Sequence, residues 1–140
     1  PHAAAREENL QILLKKIDLP QKKQLIIEGA GGVMVPLNYN GDLMIDMAKK
    51  FNARIIVVFK NYLGSINHTI LTIQQLKSYG LCMIGSIVVG DRLPSSENII
   101  QSVTKTKIIG HLPQTSNLNE QWISEQAKII GQELKRELIL

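Results

Sequence analysis

Apolar and polar positions along the chain follow two different periods, and these predict helices and strands in alternation. Between Arg6 and Ile17, apolar residues recur at i, i+3, i+4 and i+7, which predicts a helix. The run QLIIE that follows predicts a short strand ending at Glu28. The segment GDLMIDMAKKF returns to the helical period. The first third of the chain is therefore predicted to form a helix, a strand and a second helix.

Three more strands are predicted downstream. RIIVVF is almost wholly apolar, which is typical of a strand buried on both faces of a parallel sheet. CMIGSIVV and KIIGHL are predicted as the third and fourth strands because each is a short apolar run. The segments between them are longer and more polar, so helices are expected to connect the strands.

Small polar residues and glycines mark where these helices begin and end. Ser65 is predicted to cap a helix that runs to Tyr79, and Gly80 follows in the left-handed conformation common after helix ends. The predicted caps of the two later helices are Ser95 or Ser96 for PSSENIIQSV and Asn117 for the helix that ends at Leu138.

Alternation of strands and helices implies right-handed crossovers and a parallel sheet covered on both faces. The predicted fold class is therefore α/β, a three-layer and mostly parallel sheet with helices on both sides. In such folds, ligands bind beyond the carboxyl ends of the strands. The four predicted strands end at Glu28, Lys60, Gly90 and His111, so these positions are expected along one edge.

Composition narrows the class of protein. The chain has 140 residues, 44% hydrophobic and 20% charged, which fits one globular domain. No apolar run reaches the roughly 18 residues of a membrane helix, and the start, PHAAAREENL, does not look like a signal peptide. The single cysteine, Cys82, favours a cytoplasmic setting. The net charge is +4, but scattered lysines and 4% aromatic residues argue against nucleic-acid binding.

The segment EGAGG places one carboxylate, Glu28, at the end of a predicted buried strand. A carboxylate that loses solvation there needs a cation or strong donors, and Mg²⁺ shared with phosphates would satisfy it. The glycines that follow, among them Gly31 and Gly32, leave room for a ligand to approach the backbone. For an isolated E-G-x-G-G, a solvated Glu in a flexible turn is the favoured interpretation.

A second segment, GSINHT, begins a helix directly after a strand. The first N–H groups of a helix have no internal partner, so Gly64, Ser65 and Asn67 form a candidate anion site. A plain serine cap with solvated Asn67 and His68 is the simpler alternative. His68 is not a candidate metal ligand because no second ligand stands at a suitable spacing.

Together, EGAGG with VPL after it and LGSINHTILT resemble the dethiobiotin synthetases, ATP-dependent ring-closing enzymes of biotin synthesis. The similarity covers nearly all of the chain in order, and the opening PH also fits. Members of that family begin with a P-loop, G-x-x-x-x-G-K-[ST], and no window of this chain matches it. The chain is therefore expected to be the C-terminal part, residues 1–140, of a single P-loop NTPase-like synthetase domain without its first strand. That part alone is expected to be inactive.

The resemblance implies a cytoplasmic ligase that joins CO₂ to 7,8-diaminopelargonate, phosphorylates the carbamate with MgATP and closes the ring. It implies that Glu28 coordinates Mg²⁺, and that the substrate site is shared between the subunits of a homodimer. The substrate-binding residues would be Gly31, Gly32, Gly64, Ser65 and Asn67, and the nucleotide-binding residues Gly90, Asp91, Leu112, Pro113 and Gln114. Gly90 stands where many members have Asn, which puts the base preference in doubt.

Two alternatives remain. One is a related amidotransferase-type synthetase domain, as in cobyrinate and cobyrate synthesis, against which GSINHT argues. The other is a non-catalytic α/β module that dimerises and binds a small carboxylate or a partner protein. An upstream glycine-rich loop ending in Gly-Lys-Thr would separate the enzyme from the non-catalytic module.

Overall fold

The computed structural model describes residues 12–21 and 24–138. These residues divide into two compact units, the first extending to Ala53 and the second beginning at Arg54. Each unit is built differently, since the first is mostly loop and the second contains the sheet.

The first unit corrects two predictions. Of the predicted helix from Arg6 to Ile17, residues 6–11 lie outside the described residues, and the rest contains only a 3₁₀ turn, Leu14–Lys16. The predicted strand QLIIE is not a strand, and its central residue Ile26 is 96% exposed. An apolar run becomes a strand only where a neighbouring strand pairs with it. The described part of this unit contains no such neighbour.

The predicted helix in GDLMIDMAKKF is confirmed as α1, Met44–Lys50. Its first turn is closed by Asp46, whose carboxylate accepts the Leu43 N–H at 2.8 Å. Ile45 anchors the helix, with 1% of its surface exposed. The loop before α1 is held by Asn38, whose amide donates to Ile12 O at 2.9 Å. Leu37 and Asn38 are buried as well, so this unit is ordered by a few buried side chains and by side-chain bonds to the backbone.

The second unit is an α/β layer structure. Its strands are β1, Arg54–Lys60, β2, Cys82–Val89, and β3, Ile108–Leu112. They pair in parallel in the order β1-β2-β3. The helices are α2, Ser65–Ser78, α3, Pro94–Thr104, and α4, Glu120–Leu138. The predicted α/β class with a parallel sheet is confirmed, although the described residues contain three strands and not four.

The helices cover the sheet because of the direction in which the chain crosses it. Both β1-α2-β2 and β2-α3-β3 advance across the sheet in the same sense, so right-handed crossovers place α2 and α3 on one face. The core residues exposed by 2% or less include Ile73 and Leu76 of α2, Ile100 of α3 and Val88 of β2. Helix α4 packs against β3, where Gly110 faces Ile130.

Strand β1 differs from its prediction in one respect. Its sequence indicated burial on both faces, but only Val57 is buried and Val58 is 60% exposed. In the described sheet β1 pairs only with β2, so it is an edge strand. An edge position leaves more of a strand's surface open than a central position does.

The predicted caps of α2 and α3 are wrong. Gly64, with φ of +99°, is the N-cap of α2, and Ser65 is its first helical residue. Helix α3 begins at Pro94, whose fixed φ suits a first helical position, so Ser95 and Ser96 lie inside the helix.

The cap of α4 also lies two residues later than predicted. The side-chain oxygen of Asn119 accepts the Trp122 N–H at 2.9 Å, so Asn119 and not Asn117 caps this helix. The predicted left-handed Gly80 after α2 is confirmed, with φ of +74°.

Strand β2 has a glycine, Gly85, beside a bulge. The pairing with β1 shifts between Ile55, opposite Met83, and Ile56, opposite Gly85. A Cβ on Gly85 would lie 2.7 Å from Ile109 Cγ2, closer than real Cβ contacts. Gly85 therefore allows Ile109 of β3 to fill the space beside the central strand.

Gly85→Ala is expected to lower the free energy of unfolding by about 1–3 kcal/mol, because Ile109 must move. Gly131→Ala in α4 is the matched control, since its added Cβ meets open space. Alanine is the better helix former, so this variant is expected to gain up to about 1 kcal/mol. Urea unfolding of both variants measures the difference. An unchanged Gly85→Ala stability would show that the Ile109 contact is not tight.

Candidate functional site

The carboxyl ends of the three strands are joined by hydrogen bonds in the second unit. The Gly90 N–H, just after β2, donates to Leu112 O at the end of β3 at 2.9 Å. His111 Nε2 donates to Gly90 O at 2.5 Å, which requires that Nε2 carries the proton. On the other side, Asn61 Nδ2, just after β1, donates to Asp91 O at 2.9 Å. The segment after β2 is therefore fixed from both neighbouring strands.

A buried carboxylate completes this arrangement. Glu97 lies in the first turn of α3 and is 1% exposed. Its Oε2 accepts from Arg92 Nε at 2.6 Å and lies 2.5 Å from Arg92 Nη2. Its Oε1 accepts the Leu93 N–H at 2.9 Å and lies 3.5 Å from Asn61 Nδ2. One side chain thus contacts both the segment after β1 and the segment after β2.

Glu97 is ionised in spite of its burial. Burial raises the pKa of a carboxyl group, but the hydrogen bonds from Arg92, Leu93 and Asn61 and the charge of Arg92 outweigh it. The pKa of Glu97 is therefore below its ordinary value. The hydrogen bond to Glu97 raises the pKa of Arg92, in agreement with a charged pair.

The five residues predicted to bind a nucleotide lie at this same edge. Gly90 has φ of +85°, which disfavours most side chains. Asp91, Pro113 and Gln114 are exposed and Leu112 is half-buried. Gln114 Oε1 is 3.9 Å from the position that a Cβ on Gly90 would occupy. The structure brings these residues together, and their role toward a nucleotide stays a prediction.

The predicted anion site at the start of α2 is smaller than expected. The Ser65 N–H donates to Tyr62 O at 3.0 Å, and the Ser65 side chain is buried. The groups left to face a ligand are the next backbone N–H groups and the exposed Asn67 side chain. His68 Nδ1 shares a 2.6 Å hydrogen bond with the Tyr62 hydroxyl beside exposed Gly64.

In the first unit, Glu28 does not end a buried strand. It lies in an irregular, exposed segment, and no hydrogen bond or ion pair ties its carboxylate within the described residues. The expectation that burial forces it to bind a cation is therefore wrong. Gly31 and Gly32 are exposed and have φ of +82° and +110°, conformations that favour glycine.

Sequence reasoning missed Asn61, Arg92 and Glu97. The only signal was an acidic residue in the first turn of a helix that begins with Pro94. Acidic residues are common there because they stabilise the helix dipole, so the pattern did not single out Glu97. Burial and the approach of Asn61 from another strand are properties of the fold.

No group of three or more His, Cys, Asp or Glu side chains in residues 12–21 and 24–138 is arranged to hold a metal ion. No helix in those ranges is long and apolar enough to cross a membrane.

Comparison with known proteins gives a family. A family model described as an AAA domain matches residues 1–121, which is most of the chain. The chain belongs to this AAA domain family. Its membership agrees with the parallel α/β sheet of the second unit.

Within the family, the chain resembles curated proteins named ATP-dependent dethiobiotin synthetase BioD. It is 41% identical to the one from Christiangramia forsetii, over 91% of this chain and 61% of the relative. It is 43% identical to the one from Cytophaga hutchinsonii, over 91% of this chain and 62% of the relative. The resemblance predicted from EGAGG and GSINHT is confirmed. The chain spans about three fifths of the length of these relatives.

Glu97→Gln is expected to cost roughly 1–3 kcal/mol of stability at pH 7, because a charged hydrogen-bonded pair loses its anion. The pKa of Glu97 is lower when folded, so this stability is fully present above the ordinary value of 4.5. It is lost as the pH falls below 4.5 and through the folded pKa.

The measurement is the difference in unfolding free energy between wild type and Glu97→Gln from pH 3 to pH 8, in about half-unit steps. Glu133→Gln is the control, because the Glu133–Arg136 pair is exposed and is expected to contribute about 1 kcal/mol or less. A difference that grows on acidification would contradict the ionised state of Glu97.

Proposed function

We propose that this chain is part of an ATP-dependent dethiobiotin synthetase. The reaction joins CO₂ to one amine of 7,8-diaminopelargonate, transfers the γ-phosphoryl group of ATP to the carbamate, and closes the ring when the second amine displaces phosphate. The observation that carries the proposal is 41–43% identity to two proteins of that name along 91% of this chain.

Glu28 is proposed to bind Mg²⁺. This ion commonly takes only one or two protein carboxylates, with phosphate oxygens and water completing its shell. An exposed carboxylate with no partner among the described residues therefore fits it, and the open glycine segment after Glu28 leaves space for the reacting groups. When bound, Mg²⁺ would neutralise charge on the transferring phosphoryl group. Gly31 and Gly32 are proposed to lie against the diamine or its carbamate.

The substrate's carboxylate tail is proposed to bind at the start of α2. The helix dipole and the N–H groups that have no partner within the helix favour an anion there, and the Asn67 side chain is exposed to donate to it. Gly64 and Ser65 shape this turn. The adjacent Leu63 side chain is fully exposed, which supports the proposal that a second subunit covers this site in a homodimer.

The nucleotide is proposed to bind at the carboxyl edge of the sheet, where Gly90, Asp91, Leu112, Pro113 and Gln114 meet. Gly90 has no side chain to read a base, so the Gln114 amide is the nearest candidate for that role. The phosphates need a different segment, because no window of the chain matches a P-loop. Residues 1–140 are proposed to be part of a single synthetase domain, and the protein is proposed to be cytoplasmic.

The 140 residues alone are expected not to hydrolyse ATP, because they lack a phosphate cradle. A full-length protein that contains them is expected to release ADP only when Mg²⁺, the diamine and bicarbonate are all present. The measurement is ADP release with each component omitted in turn, together with detection of dethiobiotin by mass spectrometry. Equal ADP release without the diamine would contradict the ring-closing function.

Glu28→Gln in the full-length protein is expected to lower kcat by on the order of 10²-fold or more, because an amide is a poor Mg²⁺ ligand. Since Glu28 is exposed, the fold is expected to remain intact. Glu125→Gln, another exposed carboxylate, serves as the control and should keep full activity. A Glu28→Gln enzyme with unchanged rate and Mg²⁺ dependence would return Glu28 to the role of a solvated turn residue.

A further inference from the structure

The segment after β2, residues 90–93, is hereafter the β2 loop. It is held on three sides: Leu112 and His111 of β3 bind Gly90, Asn61 binds the Asp91 carbonyl, and Glu97 of α3 binds Arg92 and Leu93. Only the bond from the Gly90 N–H to Leu112 O continues the backbone pairing of the sheet. The other contacts, including that of His111, depend on particular side chains.

The Glu97–Arg92 pair is expected to contribute little net stability to the core. Burying a carboxylate loses its hydration, and Arg92 remains 49% exposed, so the attraction offsets little more than that loss. What the pair does provide is a single geometry. Both oxygens of Glu97 are occupied by donors from Arg92, Leu93 and Asn61, so a loop that moved away from Glu97 would give up these bonds.

Asn61 is bound in one orientation as well. Its Nδ2 faces two acceptors, Asp91 O and Glu97 Oε1, so a flipped amide would set three oxygens against one another. Its own Oδ1 is buried and has no hydrogen-bond partner in the described residues. A buried side chain with one unpaired polar atom adds little stability. The main effect of Asn61 is therefore to hold the Asp91 carbonyl in place.

We propose that Glu97, together with Asn61, is a positioning residue for nucleotide binding: it fixes the β2 loop so that Gly90 and Asp91 present one rigid surface to the nucleotide. This inference rests on the proposed function. Glu97 is itself buried and does not touch the ligand. It acts through Arg92, Leu93 and Asn61, and a loop held in one conformation binds without losing further freedom.

The test measures the Kd of a non-hydrolysable ATP analogue by calorimetry, and the KM of the diamine, in the full-length protein. Glu97→Gln and Asn61→Ala are each expected to raise the nucleotide Kd about tenfold, and to leave the diamine KM within about twofold. The nucleotide Kd of the double variant is expected to be about that of the single variant that binds less tightly, because both changes release the same loop.

Two controls separate positioning from general loss of stability. Glu133→Gln removes an exposed ion pair in α4, and Ile73→Val trims a fully buried residue in the middle of α2. Both control variants are expected to have the wild-type Kd for the analogue. The Kd is measured at a temperature well below the unfolding midpoint of every variant. If Glu97→Gln does not fold, Asn61→Ala alone decides the result.

Wild-type Kd values in both Glu97→Gln and Asn61→Ala would overturn the inference, and so would an equal weakening in Ile73→Val. A protein that binds the analogue but forms no dethiobiotin would contradict the proposed function while the effect of Glu97 on the Kd still supports the inference. A wild-type protein that binds no nucleotide would overturn both.

Discussion

The parallel pairing of β2 with a strand on each side is the constraint on which the second unit depends. In the described sheet, β2 alone has partners on both edges, and its residues Ser86 and Val88 are fully buried. Parallel strands need helical crossovers, so this pairing also dictates that α2 and α3 lie on one face. The glycine at position 85 allows the close approach of Ile109 from β3. The edge proposed to bind the nucleotide is a consequence of the same pairing, since all three parallel strands end on one side.

At that edge, the charge of the Glu97 carboxylate is stabilised by protein hydrogen-bond donors more than by water. The helix that follows β2 brings Glu97 into the interior, and the loop before it returns Arg92 to the same point. The carboxylate is thereby ionised without being exposed. In contrast, Glu28 is an exposed carboxylate that the described residues leave without a partner. The two acidic groups suit different roles, because a saturated carboxylate holds the protein together and an open one is available to a cation.

The sequence predicted the second unit better than the first for a physical reason. Strands β1, β2 and β3 are apolar runs with partners, so their local preference and their environment agree. QLIIE has the same preference, but no strand pairs with it in the described residues. The predicted helix caps at Ser65 and Asn117 were wrong because the position of a cap depends on where the chain turns into the helix. Several neighbouring polar residues could each have served as the cap, so the sequence did not single out one. The candidate nucleotide-binding residues were correctly predicted to lie near one another, because the carboxyl ends of parallel strands lie along the same edge of a sheet. The Asn61–Glu97 contact joins residues 36 positions apart and has no local signature.

The exposed apolar segment Leu25, Ile26 and Ile27 also affects the tendency of the protein to self-associate. An exposed stretch with three consecutive aliphatic side chains can join the equivalent stretch of another molecule through backbone hydrogen bonds. The net charge of +4 opposes such contacts by repulsion between molecules, and salt screens that repulsion. Colloidal stability in concentrated solutions of these 140 residues therefore depends on ionic strength, with dilute buffers of low salt favouring dispersed molecules.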